Sequence, residues 1–163
     1  MVILWQYSSH FYTLNSSTSF HAANDHSAAD ANADTNEIWW GAGSDVTKWV
    51  ALFSCNFLNT SDSMWATIMG RVHQIMGFGS VMYIHSDQGD YLGDQLYDGE
   101  EIKTAFMDTC RVYQPYNSTP TICRVLYAYM SRSDTIESFS SKPPSIQSGE
   151  EPYYYLTVTV QPN

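Results

Sequence analysis

The sequence predicts an α/β domain built on a mostly parallel sheet flanked by helices. Apolar runs rich in β-branched and aromatic residues are typical of buried strands, and they lie at 2–7, 46–54, 78–84, 121–130 and 153–160. Helical patterns separate several of these runs. Strands that alternate with helices favour βαβ units, in which neighbouring strands run parallel.

Three helices are predicted, and the clearest pattern covers 62–76. Its apolar residues fall on one face of a 3.6-residue period, and they are Trp65, Ile68, Met69, Val72, Ile75 and Met76. A shorter helix is expected over 89–97, ending at Gly99. Another is expected over 100–113, where Glu100 and Glu101 place negative charge in the first turn and complement the helix dipole.

The chain length predicts one domain, since 163 residues is close to the usual size of a single domain. No composition shift marks a domain boundary between residues 1 and 163. A long polar loop is expected over 11–37, which contains no Lys or Arg, and a second loop over 131–152, which contains two adjacent prolines.

Charge and hydropathy exclude two classes of partner. Seventeen acidic residues against seven basic ones give a net charge of −10, which argues against a nucleic-acid binder because phosphates require a basic face. No run approaches the roughly 20 apolar residues that span a bilayer, so membrane insertion is not expected. The first basic residue is Lys48.

The surface chemistry favours an extracellular or cell-surface protein. Only 15% of residues are charged, and neutral polar residues take their place. Three glycosylation sequons begin at Asn15, Asn59 and Asn117 and suggest a glycoprotein. Residues 1–10 have no basic segment of the kind that opens a secretory signal and are typical of a strand instead.

Three cysteines cannot all pair within one chain. Cys110 and Cys123 flank a turn-rich stretch. In an oxidising compartment they could form a disulfide, and otherwise they would be two buried thiols. Cys55 is the odd cysteine in either case.

Two strand ends carry the residues best suited to chemistry. The first predicted strand is followed by Ser8, Ser9 and His10, and the second ends at Ser54 and Cys55. Ligands of open α/β sheets bind at the carboxyl ends of the strands, so His10 and Cys55 would emerge together if these strands are parallel neighbours. A thiolate beside an imidazole that takes its proton suits acyl transfer by a Cys–His dyad.

This pattern resembles the caspase-like superfamily of cysteine peptidases, which includes caspases, gingipains, legumains and separases. Segments 5–10, 40–41, 49–58, 69–78 and 99–106 also look like a less characterised bacterial and archaeal family associated with that superfamily. The resemblance implies a three-layer sandwich and a peptide or protein substrate. It also implies that Cys55 is the nucleophile and His10 the general acid or base of a cysteine endopeptidase, a hydrolase without a cofactor.

Two departures from the superfamily keep a second interpretation open. Phe11 follows His10 where the superfamily usually has Gly, and strands normally come before the histidine strand. Either the fold is trimmed of its N-terminal strands or the chain is a fragment. The alternative function is therefore a non-catalytic extracellular structural or interaction domain of the same fold. If the site is active, its acidic surroundings favour a basic substrate side chain.

A weaker motif in the acidic loop is a calcium site. Oxygen-bearing side chains alternate as in the start of an EF-hand, at Asp30, Asn32, Asp34 and Asn36, but Thr35 and Gly41 replace the usual Gly and Glu. A solvated acidic loop explains the same pattern. A second acidic group, Asp87, Asp90 and Asp94, more simply caps and flanks a short helix. His73 is interpreted as a structural histidine rather than a ligand.

Overall fold

The computed structural model describes residues 11–14, 17–21, 32–34, 48–58, 72–116, 118–139 and 154–162. The first three segments form a small antiparallel sheet of β1 (Phe11–Leu14), β2 (Ser17–His21) and β3 (Asn32–Asp34), in that order. These strands lie inside the segment expected to be a polar loop, and the difference has a simple cause. A strand ladder is made by backbone groups, and Phe, Tyr and Thr residues favour it even where aliphatic side chains are scarce.

The larger sheet has four strands in chain order. They are β4 (Trp49–Ala51), β5 (Gln74–Phe78), β6 (Thr121–Tyr127) and β7 (Tyr154–Val160). Two helices, α1 (Gln88–Tyr97) and α2 (Ile102–Tyr113), lie between β5 and β6. Short 3₁₀ turns cover Gln114–Tyr116 and Tyr129–Ser131. The α/β class is confirmed.

The sheet is mixed, so the expectation of a mostly parallel sheet is wrong for the described strands. β4 pairs with β5 in parallel, whereas the β5–β6 and β6–β7 pairs are antiparallel. The last residue of β5, Phe78, pairs with Cys123 near the start of β6, so the connection between these strands begins and ends at the same end of the sheet. This connection contains α1 and α2, and the second helix brings the chain back to the end of the sheet that it left.

The two helices agree with the sequence prediction. α1 begins one residue before the expected helix and ends just before Gly99, whose φ of +86° is the left-handed conformation that glycine adopts freely. α2 begins two residues later than expected, so Glu101 takes the N-cap position and the prediction that Glu100 and Glu101 lie in the first turn is wrong. Asp87 is the N-cap of α1 and Asp90 lies in its first turn, so these acidic residues flank a helix as expected.

The predicted helix over 62–76 is wrong at its carboxyl end, because residues 74–78 form β5. Both faces of β5 are buried, and a strand covered on both faces is a continuous apolar run rather than an alternating one. Such a run can match helical spacing by chance. The strand expected at 78–84 is consequently displaced toward the N-terminus, and residues 81–85 have no regular structure.

Buried side chains lie on both faces of this sheet. One cluster, the helix-side core, joins the sheet to α1 and α2. It includes Phe53, Met76, Phe78, Phe106 and Val125. The cluster named the opposite-face core includes Leu52, Leu58, Val72, Ile75 and Leu126. Consecutive strand residues alternate between the clusters, as side chains of a pleated strand must. No described helix is long and apolar enough to cross a membrane.

Candidate functional site

Cys55 lies just beyond the carboxyl end of β4, as the sequence predicts. The buried residues 52–54 extend the line of β4, and the Leu52 N–H donates to the Met76 carbonyl of β5 at 3.0 Å. At Cys55 the chain turns, and the side chain is partly buried while it packs against the helix-side core. The thiol therefore sits at the sheet edge where α/β proteins place ligands.

The Cys55 sulfur is held by the main chain of Met82. The Met82 N–H points to Sγ at 3.4 Å, and the thiol contacts the Met82 carbonyl oxygen at 3.9 Å. Met82 itself is buried, while Val81 and Tyr83 on either side of it are exposed. The irregular segment 81–85 thus runs past the thiol and presents apolar side chains to solvent beside it.

The residue after the thiol has an unusual backbone. Asn56 has a φ of +57°, which places a non-glycine residue in the left-handed region, and asparagine tolerates this conformation better than most residues. The turn is fixed because the Asn56 N–H donates to the Ser80 carbonyl and the Leu58 N–H donates to the Phe78 carbonyl, both at 2.9 Å. Non-glycine residues held in the left-handed region cluster at active sites and ligand clamps, so Asn56 marks this turn as a candidate site.

The residues that anchor this turn, Gly79 and Ser80, are hydrogen-bonded to β6. The Gly79 N–H donates to the Ile122 carbonyl, and the Ile122 N–H donates to the Ser80 hydroxyl oxygen, each at 2.8 Å. The thiol, its turn and the ends of two strands are consequently one hydrogen-bonded unit.

Arg124 braces the same turn and was not anticipated from the sequence. Its Nη1 donates to the Leu58 carbonyl at 2.7 Å, and its Nε is buried without a hydrogen-bond partner among the described residues. A Cβ at Gly79 would lie 2.4 Å from Nη1, so a side chain there would require the guanidinium to move. The available signal was a charged residue inside an otherwise apolar strand, Ile122 to Leu126.

His10, the expected dyad partner of Cys55, and the predicted strand at 2–7 lie outside the described part of the chain. β1 begins at the next residue, Phe11, whose extended backbone is paired with Phe20. Three further histidines carry no assigned role: His21 is in β2, His26 is not described, and the His85 ring lies 4.9 Å from the Tyr113 ring between their centroids.

His73 is a structural histidine, as predicted, and it is fully buried. Its Nδ1 lies 2.6 Å from Asp134 Oδ2, and the Trp49 indole N–H donates to the same oxygen at 2.9 Å. We call these three residues the Asp134 cluster. They connect the first residue of β4, the residue before β5 and the chain after β6, so the cluster joins these elements at the end of the sheet opposite to Cys55.

Of the proposed calcium ligands, only Asn32 and Asp34 are described, and their backbone is the extended strand β3. An EF-hand loop folds around its ion, whereas this backbone pairs with β2. Asp30 and Asn36 lie outside the described residues. No group of three metal-ligating side chains occurs within the part of the chain that the structure describes. The calcium site stays a prediction from the sequence.

Comparison with known families assigns the chain over nearly its whole length. A family model described as Domain of unknown function (DUF6345) matches residues 4–156. The chain belongs to this family. No curated protein and no solved structure matches the chain significantly. The match includes Cys55, Asn56, Arg124 and the Asp134 cluster, so these features lie inside the family's domain.

Proposed function

We propose that this domain is a cysteine peptidase-like hydrolase of the caspase-like type, with a three-layer α/β sandwich and Cys55 as its nucleophile. The observation that carries the proposal is the placement of Cys55. The Cys55 thiol is partly exposed at the end of a sheet strand, is followed by a left-handed residue and is approached by a main-chain N–H, and this position leaves it accessible to a substrate and to a base that takes its proton. The sequence resemblance, in which His10 ends the preceding strand, supports the same assignment.

The mechanism follows from these groups. His10 takes the thiol proton, and the Cys55 thiolate attacks the carbonyl carbon of a peptide bond. The tetrahedral intermediate collapses when His10 returns the proton to the leaving amine, which leaves a thioester on Cys55. A water deprotonated by His10 then attacks the thioester and releases the acid and the free thiol.

The oxyanion of the intermediate needs main-chain donors, and the structure limits the choice. The Asn56 N–H already donates to the Ser80 carbonyl at 2.9 Å, so it is occupied. The Cys55 N–H is therefore the candidate donor on this side of the site. Donors aimed at a developing oxyanion commonly contribute about 10²–10³ in rate.

The peptide would lie along segment 81–85. The main chain of Tyr83 is already bonded at both its N–H and its carbonyl to the Gln114 side chain, at 2.9 and 3.0 Å. Recognition at this residue therefore falls to side chains, and Val81, Tyr83 and Ile84 expose apolar surface there. The net charge of −10 favours a cationic side chain in the substrate.

A second candidate is a non-catalytic extracellular interaction domain of the same fold. Phe11 favours it, because the position after His10 starts a paired strand instead of the Gly-containing loop expected of an active superfamily member. In that case the apolar segment beside Cys55 would contact a partner protein rather than a substrate.

Labelling by a peptide electrophile separates the two candidates. We expect a peptidyl acyloxymethyl ketone to modify Cys55 alone, at a rate that His10→Ala lowers by about 10²–10⁴-fold because the proton acceptor is lost. His26→Ala is the matched control and should label at the wild-type rate. Intact mass and peptide mapping identify the modified cysteine.

The same experiment tests the substrate preference. Probes with Arg or Lys next to the reactive group should label faster than a probe with Asp, and equal rates would contradict the proposed charge preference. Equal labelling of the wild type and His10→Ala would contradict the dyad and favour the interaction domain.

A further inference from the structure

Four aromatic rings of the described residues form a row that starts beside the candidate site. The centroids of the Tyr83 and His85 rings are 6.4 Å apart, and those of the His85 and Tyr113 rings are 4.9 Å apart. The Tyr113 and Tyr91 centroids are 5.7 Å apart. We name these four residues the aromatic row. Tyr83 directly follows the residue whose main-chain N–H points to the Cys55 sulfur, so the row begins next to the thiol.

The aromatic row is accessible from solvent and carries no positive charge. Tyr83 is 40% exposed and the His85 side chain is 30% exposed, while Tyr91 and Tyr113 are partly buried. The Asp87 N–H donates to His85 Nδ1 at 3.2 Å, and a nitrogen that accepts a hydrogen bond has no proton. The imidazole is therefore neutral in this structure and does not repel a cation.

One buried glutamine fixes the three elements that carry these rings. The Gln114 side chain, just after α2, bonds to both main-chain groups of Tyr83, at 2.9 and 3.0 Å. Its Nε2 also donates to Oε1 of Gln88, the first residue of α1, at 3.4 Å. Both glutamines are buried. The rings are consequently held on a fixed backbone, and a site that is ordered before binding loses less conformational entropy when a ligand arrives.

The surface around the aromatic row is acidic. Residues 81–102 contain six Asp or Glu and no Lys or Arg. Asp87 and Asp94 are exposed, and they lie four residues before and three residues after Tyr91, which places both on the same face of α1 as that ring. Asp87 Oδ2 lies 4.0 Å from His85 Nδ1. The two cationic side chains of α2 are each already paired with an acidic neighbour.

We propose that the aromatic row, together with Asp87 and Asp94, is a docking site for a peptide segment that carries Arg or Lys. A cation within about 6 Å of a tyrosine ring is attracted to its π electrons, and a carboxylate beside the ring adds charge complementarity. The assignment rests on the proposed function in that the docked peptide is the substrate of Cys55, and it names the residues that select a cationic side chain. Docking itself needs no reactive thiol.

Fluorescence anisotropy tests the docking site in a Cys55→Ala variant, which binds peptide without reacting. The probe is the rhodamine-labelled peptide Gly-Ser-Ala-Arg-Ala-Arg-Ala-Ser-Gly. Its matched control has citrulline in place of both arginines, which keeps their shape and removes their charge. At an ionic strength that screens charges beyond about 8 Å, we expect the arginine peptide to bind about 5–30-fold more tightly. Equal Kd values for the two peptides would overturn the proposal without any substitution in the docking site.

Variants of the docking site locate the binding. Tyr83→Leu removes a ring but keeps the main-chain bonds of residue 83, and it should raise the Kd of the arginine peptide by about 3–10-fold. Tyr97→Leu is its control, because Tyr97 is 83% exposed on α1 but outside the aromatic row. Asp94→Asn should raise Kd by about 2–5-fold. Glu137→Gln removes the same charge from an exposed residue near the other end of the sheet and should leave Kd unchanged. Tm confirms that each variant is folded.

The outcomes separate this proposal from the peptidase assignment. If Tyr83→Leu acts like Tyr97→Leu, and Asp94→Asn acts like Glu137→Gln, the docking site is wrong even where labelling of Cys55 depends on His10. If the arginine peptide binds as expected while labelling is independent of His10, the docking site stands and the peptidase assignment fails.

Discussion

Asp134→Ala is expected to lower the free energy of unfolding by about 2–6 kcal/mol, because taking the carboxylate away from each of two buried hydrogen-bonding groups costs about 1–3 kcal/mol. The substitution leaves the His73 Nδ1 and the Trp49 indole N–H without the carboxylate that both contact, at 2.6 and 2.9 Å. The Asp134 side chain is only 5% exposed, so water cannot readily replace it. Urea denaturation followed by tryptophan fluorescence measures the loss.

Asp108 provides the matched control. It forms an ion pair with Arg111, and both side chains are partly exposed on the surface of α2. Surface pairs contribute little, so Asp108→Ala should change the free energy of unfolding by less than about 1 kcal/mol. Similar losses for Asp108→Ala and Asp134→Ala would show that the Asp134 cluster is not the structural junction described here.

Phe106→Ala is the second substitution with a large expected effect, again a loss of about 3–5 kcal/mol. The ring is fully buried and forms a triangle with Phe53 and Phe78, with centroids 5.6 and 5.7 Å away. These rings join α2 to β5 and to the segment that leads to Cys55. Removing the Phe106 ring leaves a cavity and also weakens the packing of the segment that leads to Cys55.

Thermal unfolding checks the Phe106 prediction against two other variants. Phe106→Leu keeps most of the buried volume and should cost less than Phe106→Ala. Tyr97→Ala removes an aromatic ring that is 83% exposed, and it should leave Tm nearly unchanged. A Phe106→Ala protein with the Tm of Tyr97→Ala would contradict the packing of α2 against the sheet.

Local sequence signals predicted α1 and α2 well. The Gly99 position, the acidic residues around Glu101 and the apolar face of α2 are all encoded within a few residues of one another, and the structure has both helices nearly where they were expected. Cys55 was also placed correctly, since the end of an apolar run is a local feature. Its activity and its pairing with His10 stay predictions.

Long-range contacts explain what the sequence did not predict. The direction of β6 depends on how two helices return the chain, and no residue in β6 encodes that direction. His73 and Asp134 are 61 positions apart, so no local pattern in the sequence predicted their contact. The same holds for Met82 beside Cys55 and for Arg124 under Leu58. The predicted 62–76 helix is wrong at residues 74–76, because burial on both faces of β5 imitates helical periodicity.

The close approach of Arg124 to Gly79 makes the residue tolerated at one position depend on the residue at the other. A side chain at 79 would force the guanidinium to move away from its bond to the Leu58 carbonyl, and loss of the guanidinium would remove that bond and leave space beside position 79. Members of the family that carry a larger residue at 79 should therefore carry a shorter one at 124. Such paired substitution would mark the two sites as evolving together, across 45 positions of sequence, to preserve one turn.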